Sequence, residues 1–124
     1  MKNSLFGVII KVNDINLCRR FYRDILNLGD PVVDSSFCVE FQVSKDFSLT
    51  LEKTEARFLE HESSVTSWVY RVPSLTEVNE RFYRFDYTLE LDRRLHDGEA
   101  LYRCRDPEKN IFYILSNEPE KSSD

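Results

Sequence analysis

Histidine and cysteine, which often hold a catalytic metal or act as nucleophiles, are rare in this chain. Its 124 residues include two histidines, His61 and His96, and three cysteines, Cys18, Cys38 and Cys104. His61 stands between two glutamates, but consecutive side chains of a regular element cannot converge on one ion, and His96 falls in a predicted turn. The cysteines form no CxxC pair, so we expect them to be reduced and buried. A glycine-rich phosphate loop, a GxSxG elbow and an HExxH motif are also absent from the sequence.

Lys11 and Arg71 are charged residues that occupy equivalent places in two similar stretches of the chain. Each directly precedes a valine at the end of an apolar stretch of period two, which predicts a strand. Neighbouring side chains of a strand point to opposite faces, so both cations are predicted to point away from the apolar face. Arg103 and Arg105 are expected to share the corresponding face of a later strand. The apolar positions are Val8, Ile10 and Val12 in the first strand and Trp68, Tyr70 and Val72 in the second.

These strands belong to a unit that occurs twice, about 60 residues apart. After the first strand Asp14 is predicted to cap a helix, and after the second Ser74 does so, with Glu77 in a capping box. The letters Phe21-Tyr22-Arg23 of the first helix return as Phe82-Tyr83-Arg84 in the second. The apolar stripe of the first helix is Cys18, Phe21, Tyr22 and Ile25.

Three strands are predicted to follow each helix, so each copy is a βαβββ unit. In the first copy the strands begin at 32–33 and occupy 37–43 and 47–52, and in the second they occupy 87–91, 100–105 and 111–115. Arg93 and Arg94 are predicted to lie in a solvated hairpin before the His96-Asp97-Gly98 turn. The interpretation is a single α+β domain, residues 1–124, with repeat 1 at about 4–53, a linker at 54–65, repeat 2 at about 66–116 and a polar tail at 117–124.

The composition is that of an ordinary globular protein. Apolar residues make up 41% and charged residues 31%, and the net charge is −5. No basic stripe with interleaved aromatic residues is present, so we expect no nucleic-acid partner. No apolar run approaches the roughly 20 residues of a membrane span, and the N-terminus lacks the apolar core of a signal peptide. We therefore expect no membrane partner and a cytoplasmic location.

The order βαβββ, found twice, resembles the vicinal oxygen chelate superfamily, which includes glyoxalase I, extradiol dioxygenases and the bleomycin-resistance proteins. Residues 12–14 with 21–29 look like the family's opening strand, cap and FYxxxLG helix end, and residues 72–83 are a weaker second copy. Residues 105–113 are similar to its DPxGN turn and final strand. The resemblance implies two modules that together form an eight-stranded open barrel-like sheet around a cavity, with the helices on the outside.

In the metal-dependent members of that superfamily, four side chains from four strands hold a divalent ion in the cavity. The corresponding positions here carry Gly7, Ser67 and Tyr113, and the fourth falls near Thr50 or Glu52, of which only Glu52 could act as a ligand. A single carboxylate does not usefully hold a transition-metal ion. The resemblance therefore implies a divergent member with no metal and no other cofactor.

The resemblance implies a metal-independent glyoxalase/bleomycin-resistance-like protein that binds a small molecule in the cavity. The expected ligand-binding residues are Lys11, Glu52, Ser67, Arg71, Arg103 and Tyr113. An alternative is a divergent enzyme of the lyase, isomerase or dioxygenase type, in which Glu52 is the base and Tyr113, Lys11 or Arg71 polarises a carbonyl. Another alternative is a non-catalytic structural dimer whose barrel is filled by side chains.

Two further expectations concern the binding partners. We expect a homodimer, because bare sheet edges must be covered and short members of the superfamily with two modules commonly dimerise. We expect the ligand to be anionic or carbonyl-bearing, because Lys11 and Arg71 point inward and Glu52 can satisfy only one of them. Arg103 is expected to join them as a third cation. The alternative is that the Lys11 and Arg71 side chains both extend to the mouth of the barrel and pair with surface acids.

Overall fold

The structure, a computed structural model, describes residues 6–55, 67–95 and 98–116. The chain divides into two compact units, Met1–His61 and Glu62–Asp124. The greater part of the predicted linker, with His61, lies outside the described residues, as do His96, Asp97 and the polar tail. No helix in the described ranges is both long enough and apolar enough to cross a lipid bilayer.

The first unit contains one helix and a four-stranded mixed sheet, which we call sheet 1. Its elements are β1 (Phe6–Val12), α1 (Ile15–Arg20, continuing as a π-helical turn over Phe21–Ile25), β2 (Val33–Asp34), β3 (Cys38–Ser44) and β4 (Phe47–Lys53). The strand order is β1-β4-β3-β2. Strands β1 and β4 are parallel, and the other neighbours are antiparallel.

The second unit repeats this arrangement in sheet 2. Its elements are β5 (Val69–Val72), α2 (Leu75–Arg84), β6 (Glu90–Arg94), β7 (Ala100–Arg105) and β8 (Ile111–Ser116). The strand order is β5-β8-β7-β6, and β5 and β8 are the parallel pair. The α+β class and the repeated βαβββ order are therefore confirmed. The described strands form two four-stranded sheets, where the sequence analysis expected a single eight-stranded sheet.

Both helices begin at the predicted caps. The Asp14 carboxylate accepts a hydrogen bond from the backbone N–H of Leu17 at 3.1 Å. The Ser74 hydroxyl accepts one from the N–H of Glu77 at 3.3 Å. Each cap satisfies one of the N–H groups that a helix start leaves without an intrahelical partner.

One face of each sheet is buried on the side of the helix, as the strand periodicity predicts. In unit 1 the buried residues include Val12, Cys18, Phe21, Tyr22, Val39, Phe41, Leu49 and Leu51. In unit 2 they include Trp68, Val72, Val78, Phe82, Cys104, Phe112 and Ile114. Trp68 stacks on Phe112 with 4.9 Å between the ring centroids. The strand side chains that alternate with these form what we call the open face of each sheet.

When the two helices are aligned by position after their caps, the letters that they share are one residue out of step. Counted from the caps at Asp14 and Ser74, Tyr22 and Phe82 are both eight residues on, and both are fully buried. The match of Phe21 to Phe82 is therefore wrong, and Tyr22 is the structural equivalent of Phe82. The same count explains why Tyr83 is 82% exposed although Tyr22 is buried.

Three local predictions differ from the structure. The first strand after α2 lies at Glu90–Arg94 and not at 87–91, but the predicted solvated hairpin is present, because exposed Arg93 and Arg94 pair with Leu101 and Ala100 across the antiparallel strands β6 and β7. The FYxxxLG pattern predicts that the first helix ends at Gly29, but Asn27, with a φ of 65°, already takes the left-handed conformation directly after the helix. Cys38 is half-buried on the open face, whereas Cys18 and Cys104 are buried, and all three thiols are free.

Candidate functional site

The open face of sheet 1 brings together Lys11 and Glu52, as predicted. These two residues are partners in the parallel register of β1 and β4, and the Lys11 Nζ lies 3.5 Å from a Glu52 carboxylate oxygen. On the other side of Glu52, its antiparallel partner on β3 is Cys38. The three side chains therefore form a row across the same end of the sheet. Both charged side chains are about half-exposed, so this ion pair contributes little to stability.

The open face of sheet 2 is centred on Tyr113 of β8. Its partner on β5 is Val69 and its partner on β7 is Arg103, so the phenol stands between an apolar and a cationic side chain. Val69 is 53% exposed. Ser67, just before β5, donates its hydroxyl hydrogen bond to the backbone carbonyl of Ile111. The Ser67 hydroxyl thus helps to hold the start of β5 against β8.

Arg71 does not depend on Glu52 for a counter-charge. Its guanidinium forms a close ion pair with the carboxylate of Glu99, the residue directly before β7. Glu52 is therefore not the one carboxylate available to Lys11 and Arg71, and the alternative expectation, that these cations pair with other acids, holds for Arg71. The physical reason is the register of sheet 2, which brings the beginning of β7 close to the end of β5.

The two arginines of β7 share a carboxylate on the edge strand. Arg103 donates a hydrogen bond from Nη2 to Glu90 Oε1 at 3.2 Å, and Arg105 Nη1 lies 4.0 Å from the same oxygen. Arg103 is the register partner of Tyr113, and Arg105 is that of Ile111. The prediction that both arginines lie on the face of Tyr113 is therefore confirmed.

The four positions at which the superfamily places metal ligands do not fit a catalytic ion here. In the repeat, Ile9 pairs with Thr50 as Val69 pairs with Tyr113, so the register makes Thr50 the equivalent of Tyr113. Glu52 is displaced from that position by two residues. The four positions thus carry glycine, threonine, serine and tyrosine, a set with neither an imidazole nor a carboxylate.

The position of Gly7 also lacks room for a ligand side chain. A Cβ atom built on Gly7 would lie 2.8 Å from Ser48 Oγ and 3.1 Å from the Ser48 carbonyl oxygen. A histidine there would require Ser48, which is buried, to move. Across the three described ranges, no group of three or more His, Cys, Asp or Glu side chains is placed to hold a metal ion. Absence of a bound metal remains a prediction for chemical analysis.

Two groups on the helix side have pKa values shifted mainly by burial. Burial raises the pKa of the Cys104 thiol to about 12, and the charge of Glu90 adds to the shift. Burial also raises the pKa of the Tyr70 phenol, although Arg81 opposes the change. Both shifts favour the neutral form, so neither group is prepared to act as an anionic nucleophile.

Reasoning from sequence missed Glu90 and Glu99, the carboxylates that accompany the arginines of sheet 2. Glu90 falls in a predicted strand and Glu99 beside a predicted turn, and neither stretch shows a pattern that indicates an arginine partner. Only the pairing of β6 with β7, and of both β5 and β7 with β8, places them near their arginines. The signal that could have found them is the strand register.

Comparison with known proteins gives matches in structure but not in sequence. No protein-family model and no curated protein matches the chain. The fosfomycin resistance protein FosX from Listeria monocytogenes superposes with a TM-score of 0.72 at 16% identity, covering 95% of this chain and 96% of that chain. The lactoylglutathione lyase from Agrobacterium tumefaciens superposes with a TM-score of 0.66 at 19% identity, covering 94% of this chain and 95% of that chain. An integron cassette protein from the mobile metagenome of the Halifax Harbour sewage outfall has a TM-score of 0.71 at 15% identity, covering 91% and 97%.

The fold is therefore that of the glyoxalase and bleomycin-resistance proteins. A glyoxalase/bleomycin resistance protein from Catenulispora acidiphila also superposes on the chain, with a TM-score of 0.66 at 14% identity over 94% of this chain and 100% of that chain. The resemblance to the vicinal oxygen chelate superfamily is confirmed at the level of the fold. At these identities the likeness gives the architecture and leaves the activity to be argued from the side chains.

Proposed function

We propose that this chain is a small-molecule-binding protein with the glyoxalase/bleomycin-resistance fold, and that it binds its ligand on the open face of a sheet without a catalytic metal. The observation that carries the proposal is the environment of Tyr113. This phenol lies in the middle of the open face of sheet 2, with Val69 on one side and Arg103 on the other. Apolar and aromatic side chains with a few placed polar groups are the usual composition of a ligand site, and these three residues supply it.

The names of the similar structures agree with this proposal. Two of those described above are named for resistance to the small-molecule antibiotics fosfomycin and bleomycin, and a third is named a lyase of a glutathione derivative. The change of donor set at the four metal positions supports binding in preference to metal-dependent catalysis. Ser67 and Arg71 then contribute polar groups at the ends of the open face of sheet 2, and Lys11 and Glu52 form a separate polar pair on the open face of sheet 1.

The test is a thermal-shift screen with a library of metabolites and antibiotics, followed by affinity measurements on the strongest binder. We expect saturable binding, and we expect Tyr113→Ala to weaken it by about tenfold through loss of stacking and hydrogen bonding. Tyr83→Ala is the matched control, because Tyr83 is 82% exposed on α2. Absence of any saturable binder across broad chemistries, or equal effects of the two substitutions, would contradict the proposal.

A second candidate is an enzyme in which Glu52 acts as a general base. The observation in its favour is the row of Lys11, Glu52 and Cys38 on the open face of sheet 1, where a cation and a carboxylate stand side by side. Such a pair can remove a proton and stabilise the resulting oxyanion. If a substrate is found, Glu52→Gln should abolish its turnover, whereas full activity in that variant would eliminate this role.

A further inference from the structure

On the open face of sheet 2, two guanidinium groups share one carboxylate oxygen. Arg103 Nη2 lies 3.2 Å and Arg105 Nη1 4.0 Å from Glu90 Oε1. Within the described ranges, Glu90 is the carboxylate that lies within 4.0 Å of either arginine. Two positive charges therefore face one negative charge, and the cluster retains a positive charge in a chain whose net charge is −5.

The geometry leaves much of the hydrogen-bonding capacity of the arginines unused. A guanidinium presents five N–H donors in a planar fork that fits two oxygens of a carboxylate or phosphate. Here the contact of each arginine is with a single oxygen, and that of Arg105 is at the limit of an ion pair. The three side chains are between 38% and 56% exposed, so water competes with the pair. A bidentate oxyanion would make shorter and stronger bonds.

The position of Glu90 allows it to be displaced. Glu90 is the first residue of β6, which is an edge strand bonded only to β7 in the order of sheet 2. All five residues of β6 are exposed. The Glu90 side chain can therefore turn away from Arg103 and Arg105 without disturbing the buried face.

The groups around the two arginines indicate the rest of the ligand. Tyr113 lies beside Arg103, and Ile111, which is 38% exposed, lies beside Arg105. Val69, on the neighbouring strand β5, lies beside Tyr113 on the side away from Arg103. A small carboxylate or phosphate that carries an apolar or aromatic body would place its oxygens on the arginines and its body on these three side chains.

We propose that Arg103 and Arg105 form an oxyanion-binding site and that Glu90 occupies it in the free protein as an internal competitor. The inference rests on the proposed ligand-binding function of this face. A ligand carboxylate or phosphate displaces the Glu90 carboxylate and takes over its contacts with both guanidiniums. Glu90 therefore lowers the affinity of the site for anions and leaves its affinity for neutral ligands unchanged.

The test is a titration of the labelled full chain, followed by NMR, with benzoate, inorganic phosphate, benzylamine and neutral benzyl alcohol. We expect Glu90→Gln to tighten benzoate binding by about two- to fivefold, the gain from freeing an exposed ion pair worth less than about 1 kcal/mol. Glu80→Gln is the matched control, because it makes the same change in net charge at an exposed position on α2. Arg103→Ala and Arg105→Gln should each weaken benzoate binding by about tenfold or more, whereas Arg84→Gln should not.

The probes separate the possible results. Tighter binding of both anions in Glu90→Gln supports the site in general, and tighter binding of benzoate alone supports one that also needs the apolar body. Equal affinities for benzoate in Glu90→Gln and Glu80→Gln would overturn the proposal, as would stronger binding of benzylamine than of benzoate. If benzyl alcohol binds at Tyr113 but no anion responds to these substitutions, the oxyanion site fails and the ligand-binding function stands. If none of the four probes binds, the oxyanion site fails, and if the library screen is also empty, the ligand-binding function fails as well.

Discussion

Cys104 shows at the residue scale how its place in the sheet determines chemical behaviour. It lies on the buried face of β7 with 2% exposure, whereas Cys38 is half-buried on the open face. Because a thiol must be both accessible and deprotonated to react, the two cysteines should differ in reactivity. We predict that Ellman's reagent modifies Cys38 first in the folded protein and reaches Cys104 only after unfolding. Rapid loss of the Cys104 thiol in a folded Cys38→Ser variant would contradict this.

The raised pKa of the Cys104 thiol also predicts that the free energy of unfolding depends on pH. Burial raises the pKa of Cys104 from 9.0 to about 12, so between these values the folded state holds a proton that the unfolded state has released. The free energy of unfolding should therefore fall as the pH rises above about 9. Urea unfolding of wild type and Cys104→Ala between pH 8 and 10.5 measures this, and the variant should show the smaller fall. An identical fall in both proteins would mean that other groups dominate.

The residues at the four metal positions also make a prediction at this scale. Gly7, Thr50, Ser67 and Tyr113 supply neither an imidazole nor a carboxylate, and a side chain at Gly7 would collide with Ser48. We therefore predict no specific binding of zinc, nickel, iron or manganese. Elemental analysis of protein purified without a histidine tag is the measurement. Near-stoichiometric metal whose removal by a chelator lowers activity or stability would show that the ligands come from other residues.

Among the helices and strands, those whose two faces differ in burial were predicted from the sequence. Strands β1, β3 and β8 alternate between buried and exposed side chains, and this alternation is visible as a period of two. Strand β6 was misplaced because all five of its residues are exposed, so no apolar alternation indicates it. The cap residues Asp14 and Ser74 were predicted because their side chains act on N–H groups only three residues away.

The candidate site was less predictable than the fold. The sequence placed Lys11, Glu52, Arg103 and Tyr113 on the correct faces, because facing depends only on position within a strand. Whether Glu99 and Glu90 lie near their arginines depends on which strands are neighbours and on their register. A register shift of one residue would separate both pairs. Letter identity was also a poor guide to equivalence, since the matching letters of the two helices are one residue out of step.

That offset gives a prediction for α2. Phe82 is fully buried and Tyr83 is 82% exposed, although they are adjacent aromatic residues of one helix. Phe82→Ala should lower the free energy of unfolding by about 3–5 kcal/mol, because it leaves a cavity in the core. Tyr83→Ala should change it by no more than about 0.5 kcal/mol. Chemical denaturation of both variants compares them directly, and equal losses would show that the assignment of the two helix faces is wrong.

At the scale of the whole molecule, the sheet edges make the oligomeric state the first question. Strand β1 lies at one edge of sheet 1 and β6 at one edge of sheet 2, and both carry exposed apolar side chains, including Phe6, Ile9 and Leu91. Edges of this kind pair with other strands unless they are covered. We predict a homodimer, with a mass near twice 14.7 kDa by light scattering at micromolar concentration. A monomer mass under those conditions would refute it.

We propose that the open face of a sheet, and not a metal centre, gives this molecule its function. The most direct measurement is the change in backbone amide chemical shifts when the strongest compound from the library screen is added to the labelled protein. We predict that the largest changes fall on β5, β7 and β8, at Val69, Arg103 and Tyr113, and that they saturate with ligand. Changes confined to α2, or no saturable change with any compound, would contradict the account.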